Sequence, residues 1–399
     1  MTQERQPLEL APNRDEQSRQ SFASSLRRHV LIDIAGDMRR QFDDVIQPRH
    51  ESASDAPLAD GQDVHELMKK EPVFKFYSAI RMKAQDMTFA AAREPLERDV
   101  DVLRDDATKL QQGNVAAGGS LALNEELEVP RNVSSIDVHR APGGYTLELD
   151  EDDVTAGALY DNAIEIFAFK QFGEDKNDIG MTMANYVRLK YPDFKPSLIV
   201  DCGCTVGHNT LPWAQTFPDA EVHGVDVSGQ LLRYASARAG QRDVGVHFKQ
   251  MNATALDYAD NSVDVVFSSM FLHELPLKDI RAFLAEAYRV LKPGGLLLNM
   301  ELPPNSAMGL YESFYLDWDS FYNNEPYYKT FRDQDYPGLI DEAGFGADAF
   351  LEVTLPRYTF VGESAFAADI DAPTVFNSQT GRMDPKGTRW YAFGGWKNT

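Results

Sequence analysis

From Pro196 to Glu301 the chain alternates between short apolar runs and segments of helical periodicity, a pattern that few folds accommodate. The strand-like runs are Leu198–Val200, Glu221–Val225, Val244–Gln250, Val263–Ser268 and Leu296–Glu301. Between them, His208–Thr216, Gly229–Arg238 and Lys278–Leu291 place apolar residues at helical spacing. Strands that alternate with helices are joined by right-handed crossovers into a mostly parallel sheet with helices on both faces. Phe350–Leu355 and Trp390–Trp396 follow with no clear helix between them, which suits an antiparallel hairpin at the sheet edge. The expected fold class is α/β: a doubly wound, mostly parallel sheet with an antiparallel C-terminal edge hairpin, plus a helical N-terminal region.

The N-terminal region reads differently. Residues 1–17 are polar and expected to be disordered. Phe22, Leu26, Val30, Ile34 and Met38 predict an amphipathic helix over Ser18–Ile46, and Pro48, Pro57 and Gly61 predict a loop over Gln47–Gln62. A second helix is predicted from Pro72, ending at Pro95, and a third over Leu96–Gln111, with a flexible joint at Gly113–Ser120. Residues 18–115 are thus expected to form a helical region without obvious chemistry of its own, for which dimerisation or lid closure is an expectation by analogy only. Residues 116–194 form a connecting or cap region. In that region a strand is expected at Tyr145–Leu149, a solvated acidic turn or helix start at Asp150–Asp153, and helices at Ala158–Gln171 and Ile179–Lys190. Residues 195–399 form the sheet domain.

Composition narrows the partners. Lys plus Arg total 39 against 62 Asp plus Glu, a net charge of −23 that repels nucleic acid and anionic membrane surfaces. No run of ~18 apolar residues reads as a membrane span, and the polar start has no signal-peptide core. The two cysteines, Cys202 and Cys204, make neither a disulfide framework nor a zinc site. The expected setting is the cytoplasm, with a small-molecule substrate, no nucleic acid, no membrane and no metal.

Ligands of a doubly wound sheet bind beyond the carboxyl ends of its strands. The first strand ends in Asp201-Cys202-Gly203-Cys204-Thr205-Val206-Gly207, a glycine loop that by itself suits a plain tight turn equally well. The second ends at Asp226-Val227, a carboxylate placed to accept ribose hydroxyls. The third ends near Asn252-Ala253, where an amide meets an adenine edge. The fourth ends at Ser268, facing a cofactor's reactive end. Four strand ends in register say more than any one.

These residues resemble the Rossmann-like, class I S-adenosylmethionine-dependent methyltransferases of small molecules. The family's acidic-x-Gly-x-Gly-x-Gly motif is matched by Asp201, Gly203 and Gly207, with Thr205 replacing the middle glycine. Asp226, Asn252-Ala253, the run Asn261–Val266 and the helix and turn Ala285–Gly295 match its later motifs. The Gly-x-Gly-x-x-Gly spacing of nicotinamide enzymes is absent. The resemblance implies S-adenosyl-L-methionine as cofactor. Its implied binding set is Asp201, Gly203, Cys204, Thr205, Gly207, Asp226, Val227, Asn252, Ala253 and Ser268, with Asp201 and Gly203 near the methionine part.

Transfer to a hydroxyl or protonated amine requires a base. His273, just past the fourth strand end, is the candidate general base; a packing role is the plainer alternative, and Glu274 is the weaker candidate. His208 is expected to cap the helix after the glycine loop. An insertion at about 303–335 carries Tyr311, Tyr315, Trp318 and Tyr322 on one helix face, either a core stripe or a wall of the acceptor pocket. Glu312, Asp317, Asp319 and Glu325 lie among these rings. They suit a cationic amine, but are more simply solvated. Tyr160–Phe172 is a candidate lid. Methyl transfer to oxygen or nitrogen of a metabolite is the leading expectation. C-methylation of a quinone or polyketide-like substrate and a non-catalytic regulator are the alternatives, and a homodimer through the N-terminal helices is carried by analogy.

Overall fold

In the computed structural model, which describes residues 8–148, 152–168, 171–374 and 389–398, the alternating pattern closes into one eight-stranded sheet. The strands are β1 (Ser120–Ala122), β2 (Leu198–Cys202), β3 (Glu221–Asp226), β4 (His247–Gln250), β5 (Val263–Ser269), β6 (Leu291–Glu301), β7 (Phe350–Pro356) and β8 (Arg389–Trp396). Their spatial order is β1-β4-β3-β2-β5-β6-β8-β7. The pairs from β1 to β6 are parallel, and β8 runs antiparallel to both β6 and β7. The class and the antiparallel edge are as the sequence predicts. The central strands are buried on both faces, with Ile199, Val200, Val265, Val266, Leu297 and Leu298 fully inaccessible, which explains their unbroken apolar runs.

The N-terminal region departs from expectation in several places. Residues 8–17 are not frayed: Leu8 is buried, and Asn13 caps a helix that begins at Arg14 with a capping box to Glu16. Helical backbone continues through the π turns Val30–Ile34 and Phe42–Ile46 to Ala53, past Pro48. The wider π register there lets the chain carry a proline where an α-helical ladder would break. The second helix is likewise a single 45-residue element, Pro72–Ala116, that runs through Pro95. Proline leaves the carbonyl four residues earlier without its donor. Here Gln20 Nε2 supplies one to Ala91 O at 3.2 Å, and Asn162 Nδ2 donates to Ala92 O at 3.0 Å.

The predicted joint at Gly113–Ser120 is instead a fixed junction. Asn114 Nδ2 donates to Ser236 Oγ and Val246 O, and β1 follows directly. Tyr145–Glu148 forms no strand, and its predicted last residue, Leu149, lies outside the described residues. Asp150 and Glu151 also lie outside them. Asp153 is buried rather than solvated, and its carboxylate accepts from Thr155 N at 2.7 Å, at the start of helix Thr155–Phe167.

Candidate active site

A cavity of about 640 Å³ opens beyond the carboxyl ends of β2, β3 and β4. Gly203, Asp226, Val227, Asn252 and Ala253 line it, joined by Met251, Phe271 and Tyr327. Gly203 adopts φ +74°, and a Cβ there would stand 2.4 Å from Phe271 Cδ2, so only glycine fits. Thr205 is forced into the left-handed region at φ +47°, where the resembled motif has a glycine, and its N–H donates to Asp226 Oδ2 at 3.0 Å. Ser228 N donates to Asp226 Oδ1 at 2.9 Å. Each carboxylate oxygen therefore retains acceptor capacity for a ligand hydroxyl. Burial raises the Asp226 pKa above the ordinary carboxylate range.

Other members of the expected set do not line this cavity. Asp201 is buried beneath the loop, where Thr210 Oγ1 donates to its Oδ2 at 2.6 Å; burial, with Asp226 adding to it, pushes its pKa up to about 7. Cys204, Thr205 and Gly207 belong to the same loop and do not line the cavity either. Ser268 does not line the cavity: it is fully buried and donates to Asn299 Oδ1 at 2.8 Å inside the sheet.

Two contributions were missed in the sequence. The short helix Arg131–Ser134 closes the outer side of the cavity, and Asn132 Nδ2 is buried there without a hydrogen-bond partner among the described residues. A buried donor left unpaired is costly, so it marks a place where a ligand acceptor would be rewarded. Asn252 Oδ1 is occupied by Thr254 N and Oγ1, which leaves its amide N–H₂ for a ligand. A ribose carboxylate, two amide donors, apolar surface from Met251 and Ala253, and a side-chain-free approach at Gly203 fit S-adenosylmethionine, a nucleoside with an amino-acid tail.

Helix Thr155–Phe167 covers the glycine loop. Tyr160 stacks on the His208 ring and meets Tyr145 edge-on. His208 does not cap the following helix: its Nε2 contacts Asp161 Oδ1 at 2.8 Å and so latches this helix to the loop. Burial, aided by Arg238, brings the His208 pKa down to about 4, leaving a neutral ring.

The second missed feature is a buried group of imidazoles and carboxylates past β5 and β6. Glu301, the last residue of β6, accepts from the main-chain N–H groups of Phe271 and Leu272 and contacts His273 Nδ1 at 2.7 Å. Burial pulls the His273 pKa down, but Glu301, with Glu274 and Glu325 behind it, outweighs that and raises it to about 9. His273 thus keeps its proton at neutral pH. His139, whose backbone is held at φ +56°, places Nε2 3.4 Å from Glu274 Oε1 and Nδ1 3.0 Å from Glu325 Oε1. Tyr145 OH lies 3.4 Å from the same Glu274 oxygen. Burial raises the Glu274 pKa above the ordinary range. His139 and Glu274 keep 22% and 14% of their side-chain surface open, against 5% and 0% for His273 and Glu301. The ring a ligand can reach is His139.

The four ring residues of the insertion lie elsewhere. Helix Leu310–Tyr322 turns Tyr311, Tyr315, Trp318 and Tyr322 onto the N-terminal helices, among Phe42, His65, Phe74 and Tyr77. None lines the cavity at the strand ends, whereas Tyr327 does. The interleaved acids are not solvated: Asp317 pairs with Arg332, Glu312 with Arg39, Asp319 with Arg81 and Glu325 with His139. Among the described residues no group of three or more His, Cys, Asp or Glu could hold a metal ion, and no helix is long and apolar enough to cross a membrane.

Residues 199–295 match a family model described as a methyltransferase domain. The chain is similar to malonyl-(acyl-carrier protein) O-methyltransferase 1 of Coxiella burnetii, 35% identical over 127 residues, which cover 32% of this chain and 41% of that protein. It is similar to phosphoethanolamine N-methyltransferase 1 of Triticum aestivum, 34% identical over 101 residues, 25% of this chain and 20% of the relative. It is also similar to the demethylmenaquinone methyltransferase of Thermus thermophilus, 34% identical over 117 residues, 29% and 52% of the two chains. The matched segments thus span from a fifth to about half of these relatives' lengths.

Proposed function

We propose, from the premise that residues 199–295 form a class I, S-adenosylmethionine-dependent methyltransferase domain, that this chain methylates an oxygen or nitrogen atom of a small metabolite. The observation that carries this reading is the juxtaposition of two groups at one end of the sheet. Gly203, Asp226 and Asn252 offer a nucleoside site, and Glu274, the partner of the accessible His139, lies in the turn past β5 between Phe271 and Leu275, which both line that site. When bound, the cofactor supplies an electrophilic methyl group.

In this reading Asp226 holds the ribose, Asn252 and Asn132 offer donors to the base, and Tyr160 with its helix excludes water from the loop. Glu274, its pKa raised by burial, takes the proton that the acceptor heteroatom loses, and His139 steadies the resulting charge. His273 is already protonated and serves as a fixed positive neighbour, oriented by Glu301, in place of the general base expected from sequence.

Calorimetry with S-adenosylhomocysteine tests the reading. Asp226→Ala should weaken binding by ~10–100-fold, the equivalent of losing hydrogen bonds to a charged group. Incubation with a metabolite extract and labelled S-adenosylmethionine should yield a labelled small molecule. Absence of binding in the wild type, with no change in Asp226→Ala, would remove the proposal.

A further inference from the structure

Two arginines are buried side by side where the N-terminal helices meet the insertion, and among the described residues only one of them has a carboxylate in contact. Arg81 grips Asp319 with both arms of its guanidinium, Nε to Oδ1 at 2.6 Å and Nη2 to Oδ2 at 3.1 Å. Tyr77 OH donates to the same carboxylate at 2.5 Å. Arg27, 8% exposed, has only neutral contacts: the Gln85 side-chain carbonyl, Phe167 O at 3.4 Å, and the Phe167 ring 5.4 Å from its guanidinium centre. Among the described residues no carboxylate lies within 4.0 Å of it. The charged and titratable groups around it are Arg81, Asp319, Tyr77 and Tyr315. Burial, and then repulsion from Arg81, lowers its pKa to about 10, far below an ordinary arginine.

A buried guanidinium that touches no carboxylate is expensive, because the near anion, Asp319, is already gripped by Arg81 and replaces only part of the solvation it lost. Its position gives a reason to retain it. Gln85, which holds Arg27 through its carbonyl oxygen, donates through Nε2 to His139 O at 2.9 Å. One side chain therefore separates Arg27 from the residue whose ring meets Glu274. Tyr315, Asp319, Phe167, Tyr145 and Tyr160 in the same region all keep accessible surface. The acids that would have favoured a cationic acceptor already have partners.

We infer that the acceptor is a small anion, a carboxylate in the simplest case, whose charged group is received by Arg27 while its reacting heteroatom faces His139 and Glu274. The inference rests on the methyl-transfer reading and names its substrate class. It favours acids over neutral quinone-like acceptors and over free amines.

Benzoate and the isosteric neutral benzamide are suitable probes, with the full chain saturated with S-adenosylhomocysteine. Benzoate at millimolar concentration should raise the wild-type Tm by about 2 °C and benzamide should not. The benzoate shift should survive Arg27→Lys and vanish in Arg27→Met. Arg27→Met should itself melt no lower than the wild type, because it removes a buried charge that shares its near anion, Asp319, with Arg81. Equal responses to the two probes in the wild type, or a benzoate shift that persists in Arg27→Met, would overturn the inference. A lowered Tm in Arg27→Met with an unchanged benzoate shift would make Arg27 a brace between helices and overturn it as well. Failure of S-adenosylhomocysteine itself to bind is a separate result, and it removes the reading beneath.

Discussion

Replacing Glu301 with Gln isolates the electrostatics of the group past β5. The Glu301 carboxylate is fully buried, and its oxygens receive Phe271 N at 2.8 Å, Leu272 N at 2.7 Å and His273 Nδ1 at 2.7 Å. His273 ordinarily titrates at 6.5 and in the folded chain at about 9. That difference corresponds to about 3 kcal/mol of folding stability. Because the folded value is the higher one, this contribution is complete below pH 6.5 and disappears as pH rises through about 9. At ~2.1 cal/mol/K of unfolding entropy per residue, 399 residues convert 3 kcal/mol into roughly 4 °C of Tm. Glu301→Gln removes the main charge that holds the proton and leaves burial opposed only by Glu274 and Glu325, so the His273 pKa falls and most of its stabilising protonation is lost. Thermal melts of both proteins at pH 6 and pH 9.5 make the comparison. The wild type should lose about 4 °C more than the variant over that interval, and the variant should melt lower at pH 6. Equal losses would refute the assignment of the proton to His273, and with it the argument that this ring is not the base at neutral pH.

Two further substitutions probe the loop and its cover. Gly203→Ala should cost about 1–3 kcal/mol, since the new methyl would meet Phe271 at 2.4 Å on a backbone at φ +74°. It should also weaken S-adenosylhomocysteine at least ~10-fold by calorimetry if loop and ligand share that space. Asp161 accepts from Lys176 and His208 at 2.8 Å and Tyr234 at 2.7 Å; against burial, Lys176 and His208 hold its pKa well below 3.8. Asp161→Asn should therefore cost ~3 kcal/mol at neutral pH, and urea titrations should show the difference shrinking only as pH falls below that value.

The strand ends illustrate how far sequence reading reaches. Asp201, Gly203, Asp226 and Asn252 could be found because a parallel strand, its terminal residue and the next helix are contiguous in the chain. The same logic applied to the fifth strand would have found Glu301, which ends β6 as Asp226 ends β3. Ser268 shows the limit: residues alternate across a strand, and a neighbour at β6, Asn299, turned its hydroxyl into the sheet. Pro95 misled for a different reason. A proline costs a helix only the bonds it breaks, and Gln20, 71 residues before Ala91, supplies the replacement.

The alternation of strands and helices, the glycine loop and the carboxylate of Asp226 at its strand end were legible in the sequence alone, because each rests on local periodicity or on neighbours along the chain. Only the tertiary structure decided that His139 and Glu325 meet Glu274 past β5, and that Arg27 reaches the Gln85 that holds His139 O. They come from a loop, an insertion and the first helix, and no local pattern distinguishes a buried charge from a solvated one. The pairing of the insertion's acids, and an Arg27 that touches no carboxylate among the described residues, arise from long-range packing, and the inferred anionic acceptor rests on both.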